Sequence, residues 1–283
     1  MSAQLRSRDL DVFGLRMPAI ETGPANADEA MVFLHGHPGS SRDWEGLLLR
    51  VGEFGRGVAF DLPGLGKADK PDNWSYTIGA YGMVDTAALD RLGIKRAHLV
   101  MHDLGGGGGI LWAAAHPEAF ASAVIMGTGI LKNYDWHGWA NLMRKPVLGP
   151  LLARTTYGRA FRRTLRLQHR RGRALPEWFI DQLWEDYDYK SRRAMVTMYR
   201  NAPPGGFERL SPFFRELDRP ALVLWGGKDP FVPSEQAHLQ RESFPSAEVV
   251  VLEESGHWPW IDDPEGATNH IVPFLKRQLD AAT

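Results

Sequence analysis

Residues 99–109 run from an apolar Leu-Val-Met stretch through His102-Asp103-Leu104 into five consecutive glycines. An apolar run that ends in a glycine tract reads as a strand turning sharply into a helix that must pack close to it, because glycine leaves room where a Cβ would collide. At that corner stands a carboxylate. The glycines do not make a phosphate loop: no Gly-x-Gly-x-x-Gly register precedes a helix with an acidic residue about twenty positions on, and no Gly-Lys-Ser/Thr follows. Gly64-Leu65-Gly66-Lys67 likewise lacks the hydroxyl residue that such a loop requires and reads as an ordinary post-strand loop.

Short apolar runs recur at residues 31–34, 58–60, 97–101, 123–126, 221–225 and 248–252. Continuous rather than alternating apolarity predicts strands buried on both faces of a parallel sheet. Helical spacing is found over 78–92, closed by Gly93, over 109–116, stopped by Pro117, and over 266–279 despite Pro273. Strands alternating with helices predict a doubly wound, mostly parallel α/β sheet. The alternation stops between 128 and 220, where Arg, Trp, Tyr and Leu accumulate without a strand-like run. The expected organisation is therefore a main domain of residues 1–127 and 221–283 with a helical cap inserted at 128–220, over the carboxyl ends of the strands where ligands bind. Pro203-Pro204-Gly205-Gly206 is a candidate hinge, and the basic stretch 154–173 reads as a solvated helical face.

Composition narrows the partner. With 33 basic and 34 acidic residues the formal charge is −1, so the chain as a whole offers no footprint for nucleic acid or an anionic membrane. The absence of cysteine excludes disulfides, thiolate metal sites and a cysteine nucleophile. No metal site and no cofactor is expected. The amino terminus is mixed and charged, and no apolar run reaches the roughly 18 residues needed to span a bilayer. These features predict a cytoplasmic protein, monomer or homodimer, acting on a small molecule. The ten tryptophans, several of them between residues 136 and 184, suggest an aromatic-lined pocket, although core filling explains any single one.

The chemistry is carried by residues just past three strands. Asp103 follows the third run, Asp229 lies in Trp225-Gly226-Gly227-Lys228-Asp229, and His257 lies in Gly256-His257-Trp258. Nucleophile, acid, histidine is the chain order found with a nucleophile elbow. An aspartate there changes the reaction: with an ordinary pKa near 3.9 it is already anionic, and it suits displacement at a saturated carbon. The product would be an alkyl-enzyme ester. Asp103 would attack, His257 would activate the hydrolytic water, and Asp229 would orient the imidazole. Backbone amides of His37, in the post-strand loop His35-Gly36-His37-Pro38, and of Leu104 are the candidate oxyanion donors.

His-Gly-x-Pro at 35–38, Asp-Leu-Pro-Gly-Leu-Gly-Lys from Asp61, His-Asp-x-Gly-Gly from His102, Trp-Gly-x-x-Asp from Trp225 and Gly-His-Trp from Gly256 fall in one order along nearly the whole chain. In this the sequence resembles the Asp-nucleophile branch of the α/β hydrolase superfamily, the epoxide hydrolases and haloalkane dehalogenases. The resemblance implies an α/β hydrolase fold with an inserted helical cap.

Within that branch the resemblance implies epoxide opening first. Tyr199-Arg200-Asn201 is similar to the segment in which epoxide hydrolases carry a proton-donating tyrosine, and Tyr134 or Tyr157 could supply a second. Dehalogenases hold the departing halide with Trp after the nucleophile and a second Asn or Trp. Here Leu104 and His37 occupy those places, leaving His37, Trp136, Trp139 or Trp184 as substitutes. Against epoxides, Met101 is bulky where epoxide hydrolases usually have glycine. Fluoroacetate-type chemistry would need an arginine beside Asp103. Trp136, Trp139, Trp178 and Trp184 suggest an apolar or aromatic substrate. Halide displacement and a non-catalytic ligand-binding protein stay as alternatives.

Overall fold

The computed structural model describes residues 3–169, 172–202 and 207–281. Eight strands form one sheet: β1 (Arg6–Val12), β2 (Leu15–Thr22), β3 (Glu29–Leu34), β4 (Gly57–Phe60), β5 (Arg96–His102), β6 (Phe120–Met126), β7 (Ala221–Gly226) and β8 (Glu248–Leu252). Their order is β1-β2-β4-β3-β5-β6-β7-β8, parallel from β4 onward, with β1 and β2 antiparallel at one edge. The apolar runs became β3 to β8. β1 and β2 carry too many charges for that pattern: they form a hairpin through Phe13 and Gly14, both at positive φ, and β1 is exposed over its first four residues. β8 departs from the expected two-sided burial. It lies at the other edge, and none of its residues is fully buried.

Helices α1 (Glu45–Val51), α2 (Ile78–Arg91), α3 (Asp103–Ala115), α10 (Glu235–Leu239), α11 (Pro259–Asp262) and α12 (Pro264–Asp280) accompany the sheet. Helix α3 starts six residues before the apolar run that announced it, so the glycine tract is helix and not turn. Packing overrides the poor helix propensity of glycine here. A Cβ at Gly105 would lie 2.5 Å from the His35 carbonyl oxygen, and one at Gly109 would lie 2.6 Å from the Met101 sulfur. The tract lets α3 press against β3 and β5, which brings its amino terminus into line with the ends of those strands.

Between β6 and β7 the described residues form helices only: α4 (Gly138–Arg144), α5 (Leu148–Thr155), α6 (Gly158–Gln168), α7 (Glu177–Asp186), α8 (Tyr189–Asn201) and α9 (Ser211–Leu217). The amide of Gln182 on α7 donates to the Asp43 carboxylate at 2.9 Å, and Asn201 on α8 donates to the Ser75 carbonyl at 2.5 Å, tying the insertion down on two sides. The hinge expected at 203–206 lies outside the described residues. No helix among the described residues is long and apolar enough to cross a membrane.

Candidate active site

Asp103 is the first residue of α3 and follows β5 without a linker, which forces it to φ +47°, a left-handed conformation unusual for a side chain other than glycine. Gly36 makes the corner possible, because a Cβ there would collide with the Asp103 side chain and stand 2.9 Å from Nδ1 of His102. The Thr128 hydroxyl donates to the Asp103 carbonyl at 2.6 Å. The strained residue is thus given room by Gly36 and held at its carbonyl by Thr128.

One carboxylate oxygen of Asp103, Oδ1, accepts the backbone N–H of His37 at 2.9 Å, and the other faces Nε2 of His257 at 3.7 Å. Nδ1–H of His257 donates to Asp229 at 2.8 Å, and the second Asp229 oxygen accepts the amides of Phe231 at 2.8 Å and Val232 at 3.0 Å. These bonds fix the ring's orientation: Nδ1–H points at Asp229 and Nε2 faces Asp103. The Asp229 and His257 side chains are 1% and 2% exposed while Asp103 keeps 22%, so the carboxylate is the accessible member. Leu104 follows in the first turn of α3, where amide N–H groups have no intrahelical acceptor.

Burial disfavours an imidazolium at His257, but the Asp229 and Asp103 carboxylates outweigh it and lift its pKa to about 10. Burial alone would raise Asp103, yet its contact with His257, the nearby His102 and the His37 amide together hold it below the ordinary carboxylate value. The resting site is therefore an imidazolium between two carboxylates.

Three further histidines are held neutral by burial. His35 accepts the Leu62 amide on Nε2 at 3.0 Å and donates from Nδ1 to the Gly36 carbonyl at 2.9 Å. His102 donates from Nε2 to the carbonyl of His257 at 2.9 Å, its ring 4.4 Å from the His257 imidazole. His37 differs from both: its pKa is pushed down to about 4 and neither ring nitrogen has a partner among the described residues. Its ring lies edge-on to Tyr187 and Tyr199 at 5.4 and 6.4 Å.

Two chambers meet at Asp103. The first, about 190 Å³, is walled by His37, His257, Tyr199, Trp139, Phe161 and Met195 among others. The second, about 300 Å³, is walled by Leu104, Leu111, Tyr134, Trp136, Thr128 and Val232 among others. Of the expected residues, Asp103, Asp229, His257, His37 and Leu104 are brought together, with Tyr199 and Trp139 in the first chamber and Tyr134 and Trp136 in the second. The Tyr134 hydroxyl is engaged with the Phe231 carbonyl at 3.2 Å, whereas Nε1 of Trp136 is buried without a partner among the described residues.

Three expectations are corrected. Tyr157 is 72% exposed, Trp178 is 59% exposed, and Trp184 packs against Phe161 and Arg192; none lines either chamber. His102, Thr128, Tyr187 and Phe231 went unrecognised in the sequence. Only His102, adjacent to the elbow carboxylate, carried a signal that could have found it.

Residues 29–264 match the α/β hydrolase fold family. A 2-hydroxy-6-oxononadienedioate/2-hydroxy-6-oxononatrienedioate hydrolase of Burkholderia vietnamiensis is 27% identical over 93% of this chain and 92% of its own. A 2-hydroxy-6-oxo-6-phenylhexa-2,4-dienoate hydrolase of Comamonas testosteroni is 25% identical over 98% and 96%. Among solved structures, the epoxide hydrolase CorEH superposes with TM-score 0.82 at 18% identity, covering 97% of this chain and 99% of that one. The haloalkane dehalogenase DatA of Agrobacterium tumefaciens C58 gives 0.80 at 23%, covering 98% and 97%. At these identities the structural likeness is one of fold.

Proposed function

The chain belongs to the α/β hydrolase family, and within it we propose that Asp103 is a covalent nucleophile that opens epoxides to vicinal diols. The observation that carries this reading is that Asp103 shares a chamber with Tyr199, a buried phenol. Burial first, and then the Asp103 charge, raise the Tyr199 pKa well above its ordinary value, so it stays protonated and able to donate.

Asp103 attacks an epoxide carbon, the carbon–oxygen bond breaks, and the departing alkoxide takes the Tyr199 proton, leaving a hydroxyalkyl ester. Esterification removes the negative charge of Asp103 and with it one of the two anions that hold His257 near 10. His257 then loses its proton more readily and Nε2 becomes a base for water. Water attacks the ester carbonyl, and the oxyanion that forms lies beside the His37 amide, with the Leu104 amide as the second donor. Collapse expels the diol oxygen, which takes the carboxyl proton of Asp103 and leaves the carboxylate; the proton drawn from water restores the His257 imidazolium, and the proton His257 first gave up returns through solvent to the Tyr199 phenolate.

The oxo-dienoate activity named for the sequence relatives suits this site less well. A carboxylate adding to a ketone carbon is a better leaving group than carbon, so the adduct would revert. Halide displacement is a second reading, favoured by the unpartnered indole N–H of Trp136 and the free His37 ring. Incubation with styrene oxide and with 1,2-dibromoethane, following diol and bromide, separates the two. Under the epoxide reading diol forms, Tyr199→Phe slows it, and His257→Gln accumulates an alkyl ester on Asp103 visible by mass spectrometry. Bromide release without diol would favour the halide reading. Diol formation by Asp103→Ala would sink the covalent mechanism. Tight binding without turnover would make the protein a ligand binder.

A further inference from the structure

Residues 136–176 hold ten arginines and lysines and no aspartate or glutamate, in a chain whose formal charge is −1. Chain-wide charge averages this segment away. Some of these cations are engaged: Arg162 with Asp181 at 2.7 Å, Arg166 with Glu177 at 2.5 Å, and Arg144 with the backbone carbonyls of Tyr199 and Ala202. Arg159 and Arg163 are exposed and have no carboxylate partner among the described residues. They stand four residues apart on the outer face of α6, and Leu167, 50% exposed, continues that face.

Exposed apolar side chains lie on the preceding helix and at its junction with α6. Val147, just before α5, and Leu151 on α5 are 76% and 52% exposed, and Tyr157, between α5 and α6, is 72% exposed. The first chamber comes to the surface between these helices, where Thr155 and Ala160 both line it and face solvent. A solvated basic helix accounts for the arginines and not for the exposed aliphatic side chains of the helix before it. A nucleic acid would use the cations but gain nothing from Val147 or Leu151. A bilayer with anionic headgroups uses both, the apolar groups at the acyl boundary and the guanidinium groups at the phosphates.

We propose that the α5–α6 corner docks this protein on an anionic lipid bilayer, with Val147, Leu151 and Tyr157 at the headgroup boundary, Arg159 and Arg163 on the phosphates, and the mouth of the first chamber facing the acyl phase. An apolar substrate then enters from the membrane rather than from water. The proposal does not depend on which leaving group departs from the substrate.

The test is co-sedimentation of the full chain with vesicles of phosphatidylcholine alone and of phosphatidylcholine and phosphatidylglycerol in equal parts, with melting temperature as the check on folding. Binding is expected to the mixed vesicles only, and to be lost at roughly 0.5 M salt, where screening is short-ranged. The Arg159→Glu/Arg163→Glu double variant should lower the partition coefficient about tenfold or more. Leu151→Asp should also weaken it, with the melting temperature of both variants unchanged. Equal partition of wild type and variants overturns the proposal. So does heparin binding as tight as vesicle binding with Leu151→Asp without effect, which would mark a general polyanion surface.

Discussion

The imidazole of His102 donates to the backbone carbonyl of His257 across 2.9 Å, so the residue that precedes the elbow carboxylate carries the backbone of the proposed base. β5 and the loop after β8 are joined there through a neutral ring. His102→Ala removes that donor from a buried carbonyl, and a stability loss of about 1–3 kcal/mol is expected in denaturant titrations. A shift of the base should also lower kcat by roughly tenfold to a hundredfold with little change in KM. His102→Gln, which keeps a donor, should recover part of kcat; a purely structural defect would not respond to it.

Gly105→Ala should be poorly tolerated. The new Cβ would meet the backbone of Leu34 and His35, and backbone cannot yield as the end of a side chain can. The expected cost is about 2 kcal/mol or more, read as a fall in the denaturant midpoint. Ala at Gly109, which would meet the flexible Met101 side chain, should cost less.

The His257 pair predicts the alkaline limb of the stability curve. Its folded pKa, about 10, lies above the ordinary 6.5, so the stabilisation is fully present below about 6.5 and is lost as pH rises through about 10. Melting temperature should therefore fall across that window. In Asp103→Asn, which removes one of the two carboxylates, the fall should begin at the same pH but end at lower pH, with a smaller total loss. An unchanged profile in that variant would show that Asp103 does not hold the imidazolium.

Asp85 gives the corresponding prediction away from the site. Both its carboxyl oxygens are buried against Gly108 of α3 without a partner among the described residues, and burial raises its pKa well above the usual range. A raised folded pKa means that its contribution is present in acid, below about 4, and lost as pH rises. Asp85→Asn should be more stable than wild type at pH 7 by about 1–3 kcal/mol, the difference closing toward acid. Chemical denaturation at several pH values measures it.

Continuous apolar runs made β3 to β7 legible because strands inside a parallel sheet have no polar face to display; β8 shares the pattern although it lies at an edge. β1 and β2 were hidden for the opposite reason: their hairpin is an edge with one side in water. The start of α3 was misplaced because glycine propensity argues against helix, and only the contacts of Gly105 and Gly109 show what the tract permits. At the site, Asp103, Asp229 and His257 were legible from their places after strands. Thr128 and Phe231 were not, since nothing local distinguishes a residue whose task is defined by what folds onto it. The tryptophans were the weakest guide: Trp136 and Trp139 face the chambers, while Trp178 and Trp184 follow the same composition and do not.

Among the described residues Asp103 alone lines both chambers. Under the proposed reaction the carboxylate would be the pivot of a two-armed gauge, on which the two substituents of a reacting carbon are measured separately. Two homologous ligand series, lengthened from opposite ends, would each reach an independent optimum. Selection could then widen one arm while the other keeps its old preference.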